Sequence, residues 1–167
     1  MIKKVLTTLA AAAICFAAQA QLTPGEKSLG PKLGYVSENS SCVAGLVFQY
    51  SFSSHLRLVP EISCVFRNKG QDALLIDLNA HVPFGVGSQK AWLYPLAGLS
   101  FNSWATHGIE TLNDDDVTTH TNRFGVNVGA GFELRCSDTM KLNLEAKYTL
   151  IKSYSATYVT AGISYIF

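Results

Sequence analysis

The feature that most constrains the fold is a pair of alternating segments between Arg123 and Leu150. Apolar residues alternate with polar residues or glycine over residues 123–134, and the alternation restarts over residues 141–150 after a short polar segment. Successive side chains of an extended chain point to opposite faces, so each segment has one apolar and one polar face. The pattern predicts a long β-hairpin with a short turn.

Two architectures can use such a hairpin. Each arm has roughly the 9–11 residues that a tilted strand needs to cross a bilayer, so its apolar face can contact lipid in a membrane barrel. In a soluble, periplasmic, lipocalin-like barrel the same apolar face would instead line a ligand cavity. The two ends of the chain favour the membrane barrel.

The amino-terminal segment has the composition of a cleaved signal peptide. Two lysines precede an apolar run over residues 5–18, and Ala18 and Ala20 are the small residues that signal peptidase reads. An apolar run of about 14 residues is too short for a transmembrane helix. We predict a signal peptide over residues 1–20, cleaved after Ala20, and one domain over residues 21–167.

The net charge argues against nucleic acid as a partner. The chain has 13 basic and 12 acidic residues, and the predicted signal peptide contains two lysines and no acidic residue, so 13 − 2 = 11 basic residues remain against 12 acidic ones. A nearly neutral chain has no basic surface with which to neutralise phosphates.

The carboxyl-terminal segment ends on an aromatic residue. Apolar residues alternate with small or polar ones up to the last position, at Val159, Ala161, Ile163, Tyr165 and Phe167. This segment resembles the final strand of bacterial outer-membrane β-barrel proteins, which typically ends in phenylalanine. The resemblance implies that the barrel-assembly machinery recognises the chain through Phe167.

Alternation recurs along the rest of the chain and predicts about eight antiparallel strands. The predicted strands cover residues 28–36, 42–52, 55–67, 74–82, 90–102, 123–134, 141–150 and 158–167. In the fifth strand, Trp92 and Tyr94 compete with Leu93 and Leu99 for the outer face, and a bulge near Pro95 would reconcile them. The predicted fold class is an all-β, eight-stranded antiparallel up-and-down transmembrane β-barrel.

This pattern resembles the outer-membrane-protein β-barrel domain family over nearly the whole chain after the signal peptide. The family comprises small porin-like barrels of Gram-negative bacteria, similar to outer-membrane proteins A and X. The resemblance has no strict motif, so it implies the fold, the outer membrane and contact with lipid and lipopolysaccharide, but not an activity. An eight-stranded lumen filled by side chains is too narrow for a general-diffusion pore.

If the polar faces point inward, acidic and basic side chains meet inside the barrel in nearly equal numbers. The predicted interior ionic network comprises Lys32, Arg57, Glu61, Asp77, Arg123, Glu133, Lys141, Glu145 and Lys147, with His81 among them. A hairpin centred on residues 136–138 places Glu133 directly opposite Lys141, which is a favourable pair. We expect an ionic plug that holds the barrel rigid, as in outer-membrane protein A, which this interior resembles; a narrow gated water or ion path is the alternative.

A long polar segment from Ser103 to Asn122 is the predicted surface loop. Its acidic residues are Glu110, Asp114, Asp115 and Asp116. They lack the glycine-bearing spacing of a calcium loop, so we expect a solvated loop, no metal and no cofactor. Loops on a rigid scaffold usually carry recognition, and the chain also resembles small adhesin barrels. We therefore expect an adhesion or host-factor-binding role through this loop.

A catalytic function is the alternative from another class. Some eight-stranded outer-membrane barrels modify lipid A with a Ser/His site, and that similarity would require a histidine in a His-x-Ser pattern. None of the four histidines, His55, His81, His107 and His120, lies in that pattern. We expect no catalytic residues and no enzyme activity.

Three cysteines follow the predicted signal peptide. Centring the hairpin of the second and third strands on Ser53 places Cys42 opposite Cys64, so a disulfide and two free buried thiols are both compatible with the sequence. Cys136 is expected to remain unpaired in a turn.

Aromatic residues near the predicted strand ends suggest two girdles at the membrane interfaces. They are Trp92, Trp104, Tyr35, Tyr50, Tyr94, Tyr148, Tyr165 and Phe167. For Trp104, a sugar-binding platform is the alternative.

Overall fold

The chain forms eight long strands, each built from one of the alternating segments. The computed structural model describes residues 22–38, 40–68, 70–87, 90–107, 118–151 and 155–167. The strands are β1 (Lys27–Val36), β2 (Ser41–Ser51), β3 (Arg57–Asn68), β4 (Gln71–His81), β5 (Ala91–His107), β6 (Thr118–Arg135), β7 (Met140–Leu150) and β8 (Ala156–Ile166). A further two-residue strand, Phe84–Gly85, pairs with the start of β5.

Each strand pairs antiparallel with the next one in sequence, and β8 pairs with β1. The sheet is therefore closed, and the predicted all-β, eight-stranded up-and-down barrel is confirmed. The start of β1 and the carboxyl terminus lie at the same end of the barrel, since the Phe167 N–H donates to the Lys27 carbonyl at 3.0 Å. We call this the terminal end, and the opposite end, where the β5–β6 hairpin finishes, the loop end. None of the described segments is a helix long and apolar enough to span a membrane.

The apolar face of the barrel points outward and the polar face points inward. Leu33, Leu99 and Phe124 are 65%, 64% and 81% exposed, whereas Arg57 and Lys141 are 0% and 1% exposed. A soluble barrel buries the opposite faces, so the lipocalin-like alternative is wrong. The outer face is the apolar band of a membrane barrel.

The hairpin of β2 and β3 differs in register from the prediction. Cys64 lies opposite Ala44, not opposite Cys42, because the turn between Ser51 and Arg57 is centred one residue later than expected. In this turn the Ser53 N–H donates to the Leu56 carbonyl at 3.1 Å. Cys42 and Cys64 are free thiols, as in the second alternative, but they are exposed on the outer face and not buried; Cys136 is also free and exposed.

The hairpin of β6 and β7 is also shifted. Glu133 lies opposite Asn143 and Lys141 lies opposite Arg135, so the predicted direct pairing of Glu133 with Lys141 is wrong. The turn is again centred one residue later, with the Cys136 N–H donating to the Met140 carbonyl at 2.9 Å. When the centre of a hairpin shifts by one residue, each residue lies opposite a residue two positions farther along the partner strand. Because the shift is two positions, every side chain stays on the same face of the sheet.

The fifth strand contains no bulge at Pro95. Its ladder to β6 is unbroken along the whole strand, and Pro95 faces outward opposite Ala130. Trp92 and Tyr94 point inward instead of competing for the outer face. Tyr94 fits inside because its partner is Gly131, where an added Cβ would overlap the tyrosine ring.

The predicted long loop is partly strand. β5 and β6 are 17 and 18 residues long, and their pairing continues as far as His107 opposite Thr118. The ends of the segment from Ser103 to Asn122 are therefore a hairpin and not a loop. The acidic residues Glu110, Asp114, Asp115 and Asp116 lie outside the described residues.

Candidate functional site

The barrel interior is the candidate site, because strand alternation directs its polar side chains there. The interior has two regions along the barrel axis. The first region, which we call the ion-pair layer, occupies the middle of the barrel and the half nearer the terminal end. Its members are Glu26, Lys32, Arg57, Glu61, Asp77, His81, Glu133, Arg135, Lys141, Glu145 and Lys147. The loop end contains the apolar interior cluster, described below.

Near the terminal end, the ion pairs form a chain across the barrel. The Arg57 guanidinium lies 2.5 Å from Glu133 Oε2, and Lys141 Nζ lies 3.5 Å from the same oxygen. Lys141 is also 3.7 Å from Glu26, which in turn contacts Arg135. Glu26 precedes β1, so the segment leading into the first strand is attached to β6 and β7 by charge.

In the middle of the barrel, Lys147 links two carboxylates. Its Nζ lies 2.5 Å from Asp77 and 3.1 Å from Glu61 Oε2, and Lys32 contacts the same oxygen of Glu61. The Ser100 hydroxyl donates to Asp77. Every charge in this group has a partner of opposite sign, which is what makes burying it tolerable.

Glu145 has different surroundings. Its Oε2 accepts a hydrogen bond from the Tyr94 hydroxyl at 3.3 Å and lies 3.8 Å from His81 Nε2. Among the residues that the structure describes, no lysine or arginine lies within 4.0 Å of this carboxylate. The His81 and Tyr94 rings are stacked at 4.4 Å with an interplanar angle of 11°.

Uncharged polar groups join the strands above the ion pairs. The Asn127 amide donates to Asn79 Oδ1 at 2.9 Å, and the Thr149 hydroxyl donates to Asn127 Oδ1 at 2.7 Å. All three side chains are at most 1% exposed. These contacts cross the interior between β4, β6 and β7 and fill it with hydrogen-bonded side chains.

The apolar interior cluster closes the loop end. It consists of Val36, Val43, Val65, Ala73, Leu75, Trp104, Ala156 and Tyr158. The Lys147 ammonium lies 5.7 Å from the centre of the Tyr158 ring, where the cluster meets the ion-pair layer. The side chains come from β1, β2, β3, β4, β5 and β8, so the cluster extends around most of the barrel.

The predicted aromatic girdle is only partly present. Tyr35, Tyr148, Tyr165 and Phe167 are exposed on the outside, and Tyr50 is half-buried. Trp92, Tyr94 and Trp104 point into the barrel and are 5%, 1% and 4% exposed, so their predicted place in the girdle is wrong. The Trp92 ring lies 5.6 Å from the Arg135 guanidinium. The burial of Trp104 also argues against a sugar-binding platform at this residue.

Eight of the nine predicted network residues take part in ion pairs, which form three sets: one near the terminal end, one around Lys147, and the pair of His81 with Glu145. Arg123 is half-buried farther toward the loop end, opposite Asn102. The sequence reasoning did not include Glu26, Arg135 and Tyr94. Arg135 could have been found, because it lies two residues after Glu133 and therefore on the same face of the strand. Glu26 precedes β1, so the alternation of a strand does not predict where its side chain points.

Comparison with protein families assigns residues 6–167 to the outer membrane protein beta-barrel domain. The chain belongs to this family. It is therefore an outer-membrane β-barrel, and its outward apolar face is the apolar band expected of such a barrel. The resemblance that the strand pattern and the terminal Phe167 suggested is confirmed.

This outer-membrane barrel is similar in fold to several solved structures. The amino-terminal β-barrel domain of Pseudomonas aeruginosa OprF has a TM-score of 0.71 at 14% identity, covering 86% of this chain and 98% of that chain. Neisserial surface protein A, NspA, has a TM-score of 0.67 at 16% identity, covering 85% and 96%. Ail, the attachment invasion locus protein of Yersinia pestis, has a TM-score of 0.61 at 15% identity, covering 87% and 100%. Such low identities show the fold alone. Comparison with curated proteins finds no match.

Proposed function

We propose that the barrel is a closed membrane anchor that presents the β5–β6 hairpin for adhesion or host-factor binding. The observation that supports this most is the length of the two strands. At 17 and 18 residues they exceed the roughly 9–11 residues that a tilted strand needs to cross the membrane. The extra residues form a paired, pre-organised extension and not a loose connection.

The outer face of the hairpin changes from apolar to polar along its length. The rings of Phe101 and Phe124 pack at 5.1 Å, at the end of the apolar band on these two strands. Beyond them, Asn122 and His120 are exposed. The β6–β7 ladder ends at Val126 opposite Leu150, so residues 118–125 extend past the end of β7. This arrangement suits a hairpin that leaves the bilayer and meets water.

The charge of the hairpin tip favours a basic partner surface. Residues 108–117 include the acidic residues Glu110, Asp114, Asp115 and Asp116 and no lysine or arginine. Complementary charge accelerates association and excludes partners of like charge. The name of Ail as an attachment and invasion protein, for a barrel of the same fold, is consistent with a surface role.

Adherence of whole cells tests this proposal. Cells that express the protein should adhere to an epithelial monolayer better than cells without it, and replacing residues 109–116 by a short Gly-Asn turn should abolish the gain. A matched variant with Asn or Gln at the four acidic positions keeps the hairpin length and separates charge from shape. Heat-dependent gel mobility shows that each barrel assembles. Equal adherence with and without residues 109–116 would contradict the proposal.

We also propose that the lumen conducts no solutes and serves as a rigid plug. The paired charges of the ion-pair layer and the apolar interior cluster support this, because both fill the cross-section of an eight-stranded barrel. In a planar bilayer the purified barrel should show no single-channel steps. Steps that persist in protein freed of contaminating porins would instead support the gated path.

Export and assembly complete the proposal. We infer that the signal peptide is cleaved after Ala20, that lipopolysaccharide surrounds the loop end, and that the assembly machinery recognises Phe167. The exposed Phe167 side chain and the attachment of its backbone to Lys27 leave the ring on the outer surface beside the β1–β8 seam. No catalytic role is proposed, and the absence of enzyme activity remains a prediction.

A further inference from the structure

Three side chains in the ion-pair layer bring potential metal ligands together. Glu61, His81 and Glu145 project inward from β3, β4 and β7, and one ligand atom of each lies within 4.8 Å of the other two. Their exposed fractions are 5%, 1% and 7%. Because they come from three different strands, only closure of the barrel assembles the group.

Two members of the group have polar atoms that the protein does not satisfy. Both ring nitrogens of His81 and Glu145 Oε1 have no hydrogen-bond partner among the described residues. Buried polar groups nearly always have a partner, and leaving one unpaired costs about 1–3 kcal/mol. Buried atoms without a hydrogen-bond partner also occur elsewhere in the interior, for example at Arg57 and Trp92. Only at His81 and Glu145, among the described residues, do they belong to side chains whose ligand atoms lie close to a third potential metal ligand, and this combination points to an ion at this position.

The distances fit two ligands of one ion better than a direct contact. His81 Nε2 and Glu145 Oε2 are 3.8 Å apart, which is too long for a hydrogen bond. Ligands at the roughly 2.0–2.1 Å bond lengths of Zn²⁺ lie no more than about 4 Å from each other, which the separation of His81 and Glu145 meets. The Glu61 carboxylate, within 4.8 Å of both, completes the site by turning toward the ion. Glu145 also has no lysine or arginine within 4.0 Å among the described residues, so a cation would compensate its charge.

We propose that Glu61, His81 and Glu145 bind a divalent transition-metal ion, Zn²⁺, inside the barrel. One imidazole and two carboxylates are a donor set that zinc accepts, whereas Ca²⁺ and Mg²⁺ prefer oxygen ligands alone. The metal lies between β3, β4 and β7 and cross-links them. This role is additional to the proposed surface function, because it concerns the anchor and not the hairpin.

Neighbouring side chains position the ligands. The Tyr94 hydroxyl donates to Glu145, and the Tyr94 ring stacks on His81, so this tyrosine orients two of the three ligands. Lys32 and Lys147 compete with the metal for Glu61. Lys147 keeps Asp77 as a partner at 2.5 Å when Glu61 turns to the ion.

Zinc retention by the refolded barrel tests the proposal. The full chain after the signal peptide, without a histidine tag, is refolded in detergent with Zn²⁺ present, dialysed against metal-free buffer, and analysed for zinc by mass spectrometry. The wild type should retain about one zinc ion per folded chain. Glu145→Gln and His81→Gln should lose it, and Tyr94→Phe should weaken binding by about 10–100-fold. Glu133→Gln, which changes a carboxylate of the same layer outside the group, should retain it.

Two results of this zinc analysis would overturn the proposal. A folded wild type that retains no zinc overturns the proposal. Equal retention by Glu145→Gln also overturns it, because the ion is then bound at the thiols or the exposed histidines. If the variants fail to fold, the absorption spectrum of the wild type loaded with Co²⁺ tests the site instead. Intense visible absorption bands of four- or five-coordinate cobalt that persist after the three cysteines are alkylated support the site, and the weak spectrum of the six-coordinate aqueous ion overturns it.

Discussion

The ion-pair layer and the apolar interior cluster differ in chemistry although both lie inside one barrel. In the ion-pair layer, charged side chains point inward and leucines point toward lipid. At the loop end, Trp104 and Leu75 point inward, while Asn122 and His120 are exposed outside. On β4, however, the exposed Leu74 and Ile76 flank Leu75, so there the outer face stays apolar. The two regions therefore differ in what lies inside the barrel, with charges in the ion-pair layer and apolar residues in the cluster.

The difference follows from what surrounds each region. Within the bilayer, lipid solvates a leucine as well as a protein interior does, so burying apolar residues inside gains little, and the interior is held by paired charges. On β5 and β6, which are longer than a membrane crossing needs, the outer face becomes polar at the loop end, and next to water the hydrophobic effect favours apolar side chains inside. The apolar interior cluster is therefore packed like the core of a soluble protein, whereas the ion-pair layer is held by charge.

The strongest test of the ion-pair layer is Arg57→Ala. Arg57 is 0% exposed and contacts Glu133, so its removal leaves a buried carboxylate without its closest cation. We expect a loss of about 3–5 kcal/mol in the free energy of unfolding. Urea unfolding in lipid vesicles, followed by gel mobility, measures it. Arg67→Ala is the control, since its pair with Asp72 is 59% and 38% exposed and should contribute at most about 1 kcal/mol. Equal losses of unfolding free energy in Arg57→Ala and Arg67→Ala would show that the buried ion pairs do not stabilise the barrel more than an exposed pair does.

The matching test of the apolar interior cluster is Leu75→Ala. Leu75 is 3% exposed, and its truncation should leave a cavity at a cost of about 3 kcal/mol in the free energy of unfolding. Leu78→Ala on the same strand is the control, because Leu78 is 53% exposed to lipid, which can fill the space. The same unfolding assay compares them. A larger loss for Leu78→Ala would mean that the cluster is not a packed core.

Arginine substitutions probe the surroundings of the outer face. Leu144→Arg places a charge in the apolar band and should cost about 2 kcal/mol or more. Asn122→Arg places the same charge on the exposed loop end and should change the stability by less than about 0.5 kcal/mol. Recovery of folded barrel from vesicles measures both. A similar cost at both positions would mean that the bilayer also covers the loop end.

The smallest expected effect concerns the packing of Tyr94 against β6. Gly131→Ala adds a Cβ that would overlap the Tyr94 ring, and overpacking of this kind should cost about 1–3 kcal/mol. Tyr94→Ala in the same chain should remove that penalty. A double-mutant cycle of unfolding free energies gives the coupling between the two residues. If the losses of unfolding free energy in the two single variants simply add in the double variant, the Tyr94 ring moves aside from the added Cβ without cost.

Much of the fold was predictable from the sequence, because alternation is a local property. Six of the eight predicted strands start and end within three residues of the observed ones, and the other two, β5 and β6, were predicted five residues too short at the end where their residues become polar. A polar strand outside the bilayer has the composition of a loop. The inward set around Glu61, Asp77 and Lys147 followed from the same alternation.

The sequence by itself determined the strands, the face on which each residue lies and the membrane as surroundings, since these depend on a period of two and on the apolar outer band. Only the tertiary structure decided which residues are neighbours. Both hairpins turned one residue later than expected, and a register depends on turn geometry. Contacts such as Lys147 with Asp77 and Glu145 with His81 cross the barrel between strands that are not adjacent. They exist only because the sheet closes, and closure brings together residues that no local pattern connects.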